Sequence, residues 1–446
     1  MKTDRQRPSV LFVISHDVAP RHGCYGGVAV TPNLDRLASE GTVFQSHYAQ
    51  YPLCGPSRAC LFTGCRPLTT QRFDNQPFFP RFRRRMDPAF RSLPELFRWA
   101  GYATYGAGLV FHDVDDPPSW DEPIDRAPRG NPTANGHHDL PTPLITGAKK
   151  DWVTDDAYAR IRALWKALLR AGYTEADRTD PSVARKAQGP PIESAEVGDE
   201  GYEDGLVTES AIRRLRSIPT DRPFFLAVGF VTGHTPFRAP KRYFDLYDRA
   251  ALPLPEYREP PHGSPEWASG DSEPAQYYTT NGYEKAWRAT DAQSRELLHG
   301  HLAATSYIDA QLGRLLEALD EIDRSEDTIV VVLSDHGFHD GQHGYWGKHN
   351  LWEQSLRVPF VMRVPGGEDN RTPAVPSVSA LTEHVDIYPT LCDLCGIDKP
   401  HHLEGTSLVP LLDGTDTVGK PAVFSHRRHM WHDRIHAYDI AHSVRT

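Results

Sequence analysis

The stretch Ser9-Val-Leu-Phe-Val-Ile-Ser15, followed directly by His16 and Asp17, is the part of the sequence that decides the fold. Its apolar residues run without a break and include β-branched and aromatic side chains, which predicts a strand buried on both faces of a parallel sheet. Open α/β sheets bind their ligands at the carboxyl ends of such strands. The sequence therefore predicts an α/β protein in which His16 and Asp17 lie at a ligand site.

Other segments indicate that this strand has parallel neighbours, separated along the chain by helices. Thr31 followed by Pro32 is typical of a helix start, and Gly41 of its end. Amphipathic spacing predicts a further helix at Leu302 to Leu319. Further strands are predicted at Tyr102 to Leu109, Phe224 to Val231 and Thr328 to Ser334. This alternation favours a mostly parallel sheet with helices on both faces.

Charge and hydropathy exclude several classes of partner. The 446 residues include 49 Lys and Arg against 59 Asp and Glu, a formal net charge of −10, which argues against broad attraction to nucleic acid or anionic membranes. No window approaches the ~18 uninterrupted apolar residues of a membrane span. The charged start does not match a secretory signal, so we expect a cytoplasmic protein with no nucleic-acid or membrane partner.

The most informative stretch for chemistry is Leu53-Cys-Gly-Pro-Ser-Arg-Ala-Cys-Leu-Phe-Thr-Gly64. Pro56 and Ser57 suit a first helical turn, which would place Cys54 just before a helix N-terminus, where an anion is favoured. Arg58 adds a positive charge there. By itself, a cysteine near a helix start is more often a buried structural residue than a catalytic one.

The pattern Cys-x-Pro-Ser-Arg followed by Leu-x-Thr-Gly resembles the signature of the type I sulfatases, and most closely their iduronate-2-sulfatase-like branch. Similar segments are Gly23-Cys-Tyr-Gly26, Thr31 to Ala38, Ser306 to Leu316, Ser334-Asp-His-Gly337, His343-Gly344 and Arg357 to Phe360. The resemblance implies an alkaline-phosphatase-like fold, with a mostly parallel, mixed central sheet between helices and a small C-terminal subdomain.

The resemblance also implies a chemistry. In this family a maturation enzyme oxidises the signature cysteine to formylglycine, so the implied activity is hydrolysis of sulfate monoesters through a formylglycine made from Cys54. The implied cofactor is one divalent metal ion, which is Ca²⁺ by family resemblance. The implied partners are a small sulfate or phosphorus ester as substrate and the formylglycine-generating maturation enzyme.

Residue roles carry over only at positions that match the family's motifs. Asp17, Asp335 and His336 match metal-ligand positions and share the metal with residue 54. Arg58 matches the arginine that steadies the formylglycine. The remaining matches are His112, for sulfate expulsion, and His234 and Lys348, which face the sulfate and the leaving-group oxygen.

Two positions depart from the family pattern. His16 stands where the family has the first of two adjacent acids, and an imidazole there favours Mn²⁺, Fe²⁺ or Zn²⁺ over Ca²⁺ if it binds the metal. The alternative is that His16 turns away and only packs against its neighbours. Leu109 occupies the position of a sulfate-binding lysine, so the site has one cation fewer facing the substrate.

We expect residues 1–365 to form the catalytic α/β domain and residues 366–446 a smaller C-terminal part. Stretches near 113–205 and 252–293 lack apolar periodicity, which is typical of long surface insertions that shape a substrate pocket. In relatives, the element that matches Ser443 to Thr446 opens a strand pair. We therefore expect either a differently completed sheet or a truncated subdomain.

The departures leave three alternatives to sulfate ester hydrolysis. One is a phosphodiester or phosphonate monoester hydrolase on the same scaffold. Another is a catalytically silent homologue that binds an anion. The third is a protein in which unmodified Cys54 is a thiolate ligand of a transition metal.

Overall fold

A computed structural model describes residues 7–76, 90–112, 115–125, 154–180, 183, 186–264, 268, 272–278, 287–366, 373–428 and 440–446. Its strands in chain order are β1 (Ser9–Ser15), β2 (Thr42–Phe44), β3 (His47–Tyr48), β4 (Ala103–Gly108), β5 (Ile192–Ala195), β6 (Phe224–Gly229), β7 (Phe237–Pro240), β8 (Thr328–Ser334), β9 (His339–Asp340), β10 (Trp346–Gly347), β11 (Arg357–Val358), β12 (Phe360–Arg363), β13 (Ser377–Val378), β14 (Thr382–Glu383), β15 (Val423–Arg428) and β16 (Ile440–Arg445). Its α-helices are α1 (Pro32–Glu40), α2 (Cys54–Thr63), α3 (Pro67–Thr70), α4 (Leu93–Trp99), α5 (Asp155–Arg170), α6 (Glu203–Ser217), α7 (Lys241–Phe244), α8 (Ala275–Tyr278), α9 (Asp291–Glu321), α10 (Glu353–Leu356), α11 (Ile387–Cys395) and α12 (Val409–Leu412).

The main sheet has the strand order β13-β2-β12-β8-β1-β6-β4. Strand β1 lies between β8 and β6 and runs parallel to both, and β4 runs parallel to β6. Strand β12 is antiparallel to both β8 and β2, which makes the sheet mixed. The predicted α/β architecture, with a mostly parallel central sheet between helices, is confirmed.

Helices on both faces of the sheet explain the uninterrupted apolar run of β1. Phe12 and Ile14 pack on one face with residues of α2, α4 and α11. Leu11 and Val13 pack on the other face with residues of α1, α6 and α9. Because alternate side chains of a strand point to opposite faces, both sets are buried, and each large side chain contributes roughly 1.5–3 kcal/mol.

Strand register brings the carboxyl ends of β1 and β8 level with each other. Ser15 pairs with Ser334, so Asp17 and Asp335, which follow these residues, reach the same edge of the sheet. Strands β6 and β4 meet this edge at Gly229, which pairs with residues of both β1 and β4. The segments after four strands therefore converge at one place.

Helix α9 is longer than the predicted helix at Leu302 to Leu319, because it begins at Asp291. A capping box defines its start: the Gln293 N–H donates to Thr290 Oγ1, and the Thr290 N–H donates to Gln293 Oε1. Its first turn has no large apolar side chain, and the predicted helix also omits Leu297 and Leu298, which are buried in α9.

Near the C-terminus, β15 and β16 form an antiparallel pair in which Ser425 lies opposite Ser443. Strand β13 belongs to the main sheet and α11 to its core, and the division at residue 365 stays a prediction. Parts of both predicted insertions lie outside the described residues. Among the described residues, no helix has the length and apolar character of a membrane span.

Candidate active site

Asp17 and Asp335 form the centre of a buried polar site at the carboxyl edge of the sheet. The Asp17 N–H donates to Asp335 Oδ1 over 3.1 Å, and the His336 N–H donates to the same oxygen over 3.0 Å. Asp17 has a backbone φ of +61°, a left-handed conformation that costs energy in residues other than glycine and is found at functional sites. Two carboxylates from distant parts of the chain are thus held side by side.

Cys54 is the first residue of α2 and is buried beside these carboxylates. Its Sγ lies 2.8 Å from His16 Nε2, 3.2 Å from His336 Nε2 and 3.9 Å from Asp17 Oδ1. Five residues, which we call the ligand cluster, place their ligand atoms within 4.8 Å of one another: His16, Asp17, Cys54, Asp335 and His336. The structure thus brings together all five residues predicted to hold a metal.

His16 turns toward the ligand cluster. Its Nε2 lies 3.3 Å from Asp17 Oδ1 and 3.7 Å from Asp335 Oδ2. Burial, with the charges of His234 and Arg58, lowers the pKa of His16 well below its ordinary value. The ring is therefore neutral, which is the form that binds metals. This orientation does not support the alternative in which His16 turns away from the site.

The donor set fits a divalent cation. His336 Nδ1 lies 2.9 Å from the Gly337 carbonyl oxygen; because that oxygen only accepts, Nδ1 carries the hydrogen and Nε2 presents a lone pair to the cluster. Burial raises the pKa of Asp17 and of the Cys54 thiol, and a cation would oppose both shifts by favouring the deprotonated forms. Two carboxylates, two imidazoles and one sulfur suit Mn²⁺, Fe²⁺ or Zn²⁺ better than Ca²⁺.

Arg58 connects the cluster to the segment after β4. Its Nε donates to Asp335 Oδ2 over 3.0 Å, and its Nη1 donates to Val110 O over 3.1 Å and also to Leu109 O. Its Nη2 is buried and has no hydrogen-bond partner in the part of the chain that the structure describes. Leu109 thus contributes a backbone oxygen where the family has a lysine, and both N–H groups of Arg58 Nη2 are available for an anion.

Lys348 is buried and lies between two carboxylates. Its Nζ contacts Asp17 Oδ2 and lies 3.4 Å from Glu273 Oε1. Burial by itself would lower the pKa of Lys348, but Asp17 and Glu273 outweigh it and raise that pKa well above the ordinary value. The site therefore holds a fixed ammonium beside the ligand cluster.

His234 and His112 are less deeply buried than the cluster. His234 Nε2 lies 3.9 Å from Asp17 Oδ2, and its ring centre is 5.0 Å from that of His16. His112 lies two residues beyond Val110, which accepts a hydrogen bond from Arg58. Contact of either histidine with a substrate stays a prediction.

Glu273 is a site residue that the sequence did not reveal. It comes from the insertion near 252–293, yet it is buried, and its N–H donates to the Trp346 carbonyl oxygen over 2.8 Å. Burial by itself would raise the pKa of Glu273, but Lys348 and the histidines at 349 and 234 hold that pKa well below its usual range. No periodicity or motif surrounds Glu273 in the sequence, so no signal there could have identified it.

We expect Glu273→Gln to strengthen the binding of inorganic sulfate. Glutamine keeps the size of the side chain but removes a negative charge beside Lys348, which leaves the ammonium freer to attract an anion. The inhibition constant of sulfate should fall by at least roughly threefold to tenfold, because a unit charge about 4 Å away changes an interaction by about 1 kcal/mol even in bulk water, and about 1.4 kcal/mol is tenfold in affinity. The exposed Glu256→Gln in the same insertion is the matched control, and an unchanged or higher constant for Glu273→Gln would contradict the expectation.

The metal preference of the site should change with residue 16. His16→Asp replaces a neutral nitrogen ligand with a hard carboxylate oxygen, which suits Ca²⁺. We expect the ratio of Ca²⁺ to Mn²⁺ affinity to rise by at least roughly tenfold relative to the wild type. Calorimetric titration of the wild type and of His16→Asp with each ion measures this ratio. The control is His299→Gln, because His299 is a buried histidine whose Nε2 faces the Phe244 carbonyl oxygen at 2.8 Å and not the ligand cluster. An unchanged ratio would show that His16 is not a ligand.

Comparison with known proteins shows which family has this arrangement. The family model described as sulfatase matches residues 8–397. The iduronate 2-sulfatase of Homo sapiens is 30% identical over 440 residues, which cover 88% of this chain and 70% of that protein. The N-acetylglucosamine-6-O-sulfatase of Bacteroides thetaiotaomicron is 23% identical over 496 residues, which cover 100% of this chain and 77% of that protein.

Solved structures support the same fold. A protein in complex with its substrate D-glucosamine-2-N,6-O-disulfate has a TM-score of 0.69 at 21% identity, covering 99% of this chain and 87% of that chain. The phosphonate monoester hydrolase of Agrobacterium radiobacter has a TM-score of 0.67 at 23% identity, and the match covers 98% of this chain and 86% of that chain. These likenesses confirm the alkaline-phosphatase-like fold. Since the family model spans most of the residues and the human relative is similar over most of its length, this chain belongs to the sulfatase family.

Proposed function

We propose that this protein hydrolyses sulfate monoesters with a formylglycine made from Cys54 and one divalent cation. The observation that carries the proposal is the position of Cys54, at the first turn of α2 and in contact with His16 and His336 of the ligand cluster. Sulfatase membership supports the reaction type. The maturation enzyme and the cytoplasmic location stay predictions.

The formylglycine and the divalent cation would each supply a different part of the chemistry. A hydrated formylglycine offers one hydroxyl as the nucleophile toward sulfur and a second that allows the sulfate to be expelled. A divalent cation held by His16, Asp17, Asp335 and His336 would supply Lewis-acid stabilisation of developing negative charge. Mn²⁺, Fe²⁺ and Zn²⁺ fit this donor set, and Ca²⁺ is the ion that the family resemblance favours.

The protein's own charged groups would orient the reactants. Arg58 holds Asp335 through Nε and keeps its buried Nη2 free for an oxygen of the nucleophile or the sulfate. Lys348 carries a fixed positive charge that suits a sulfate oxygen. His234, which is partly exposed beside Asp17, would give a proton to the departing alcohol.

The modification can be tested without any substrate. Protein produced together with a formylglycine-generating enzyme should show a mass loss of about 18 Da in the peptide that contains Cys54, the difference between a thiol and an aldehyde side chain. The peptide that contains Cys392 and Cys395 should keep its mass. An unmodified Cys54 that binds Zn²⁺ or Fe²⁺ in stoichiometric amounts would instead favour the thiolate-ligand alternative.

The substrate class can be tested by comparing kcat/KM for sulfate, phosphodiester and phosphonate esters that release the same chromogenic alcohol. We expect the modified protein to cleave an aryl sulfate with a higher kcat/KM than the matching phosphodiester or phosphonate monoester. Leu109 stands where the family has a sulfate-binding lysine, so the substrate side has one positive charge fewer. This difference is the feature that favours the phosphorus esters as an alternative. Faster cleavage of a phosphorus ester would overturn the sulfatase proposal, and binding without any turnover would favour a silent anion-binding protein.

A further inference from the structure

The backbone of Asp17 is held at both of its polar groups. Its φ of +61° is unusual for an aspartate. Its N–H is bonded to Asp335 Oδ1, and its carbonyl oxygen lies 3.1 Å from His301 Nε2. The backbone of Asp17 is therefore in contact with His301, which lies in α9 and outside the ligand cluster.

His301 is itself fixed by Asp340, the last residue of β9. His301 Nδ1 lies 2.6 Å from Asp340 Oδ1. The other Asp340 oxygen contacts Arg21 Nε, and the Asp340 N–H donates to Gln342 Oε1 over 2.7 Å. Burial by itself would raise the pKa of Asp340, but His301 and Arg21 outweigh it and lower that pKa to about 2, so its carboxylate is an acceptor.

Both ring nitrogens of His301 therefore face oxygen acceptors, a carboxylate on one side and a carbonyl on the other. The Asp17 carbonyl oxygen only accepts, so the hydrogen bond to it requires an N–H at Nε2. Its plane is also set by packing, since it stacks on Phe237 at 4.6 Å between ring centres and 11° between planes. Phe338 meets it edge-on at 5.3 Å. Few other orientations are open to such a ring.

We infer that His301, oriented by Asp340, is a positioning residue that holds Asp17 in its left-handed conformation and so directs the Asp17 carboxylate into the metal site. The inference rests on the proposed function, because it needs Asp17 to be a metal ligand. It concerns residues that touch neither the substrate nor the metal. Groups that orient metal ligands in this way typically change metal affinity or activity by 10–100-fold when they are removed.

The test is Mn²⁺ binding by calorimetry to the full chain carrying His301→Phe. Phenylalanine keeps a ring that can stack on Phe237 but removes both ring nitrogens. We expect the Kd for Mn²⁺ to rise roughly 10–100-fold, with kcat of the modified enzyme falling more than KM rises. His301→Gln returns an N–H donor at a similar reach and should recover most of the affinity. A purely structural role would predict no such recovery.

His299→Phe is the matched control, because His299 is a buried histidine of the same helix whose Nε2 also faces a carbonyl oxygen, that of Phe244 at 2.8 Å. It should leave the Kd for Mn²⁺ unchanged. If His301→Phe does not fold, Asp340→Asn tests the same inference, since asparagine removes the charged acceptor at almost the same size. We expect it to raise the Kd about tenfold.

The outcomes separate the two proposals. A wild-type protein that binds neither Mn²⁺ nor Ca²⁺ would overturn the metal site and this inference together. Wild-type binding with an unchanged Kd in His301→Phe or in Asp340→Asn would overturn only the positioning role. A Kd raised equally by His299→Phe would show a general effect on α9 and would also overturn it.

Discussion

Cys54→Ala should reduce aryl sulfate turnover by roughly 10⁴–10⁶-fold, the loss measured when a covalent nucleophile is removed from a hydrolase. The Cys54 thiol is buried against His16 and His336 at the start of α2, and alanine cannot be converted to an aldehyde. The measurement is kcat/KM on protein co-produced with the maturation enzyme. Cys54→Ser should lose as much, because a serine hydroxyl has no second oxygen with which to expel the sulfate.

Cys60→Ala is the control for this result. Cys60 is also a buried thiol of α2 but lies in the interior of the protein, away from the ligand cluster. Its replacement should lower stability by about 1 kcal/mol through lost packing and leave kcat/KM within a few-fold. Turnover by Cys54→Ala within tenfold of wild type would show that residue 54 is not the nucleophile.

Asp17→Asn should lower turnover by about 10³-fold, equivalent to about 4 kcal/mol of transition-state stabilisation, because the metal's Lewis acidity depends on this ligand. Asparagine has the same size as aspartate and tolerates a positive φ, so the backbone at +61° can persist. The change removes one of the two carboxylates of the cluster and an ion-pair partner of Lys348. Mn²⁺ affinity and kcat/KM should fall together.

Two comparisons make the Asp17→Asn result interpretable. Removal of metal from the wild type with a chelator should produce a loss of similar size that added Mn²⁺ reverses. Asp309→Asn is the control, since Asp309 is a buried carboxylate that accepts the Leu34 N–H over 2.8 Å and lies outside the ligand cluster. It should change stability without changing metal affinity. Full activity of Asp17→Asn would show that Asp17 is not a metal ligand.

Much of the architecture followed from short apolar runs. The run Ser9 to Ser15 and the run Thr328 to Ser334 became β1 and β8 with the bounds that were predicted. The five central residues of each strand are apolar because helices cover both faces of the sheet, and each strand ends at a serine that polar residues follow. The metal-ligand candidates Asp17 and Asp335 could be predicted because each follows such a run.

Other site features were invisible along the chain. Glu273 has no surrounding pattern, and only the packing of its insertion against Trp346 brings it to Lys348. His301 and Asp340 belong to none of the motifs that the sequence resemblance rests on. The prediction began α9 at Leu302 and so missed its first three turns, which have no large apolar side chain before Leu297.

The sequence by itself determined the α/β fold class and the set of groups that carry chemistry, because apolar periodicity and short motifs are local properties of the chain. Only the tertiary structure decided that His16 faces Cys54, that Arg58 bonds Asp335 and that Lys348 lies between Asp17 and Glu273. These relations depend on strand register and side-chain orientation, which are set by contacts between residues far apart in the chain.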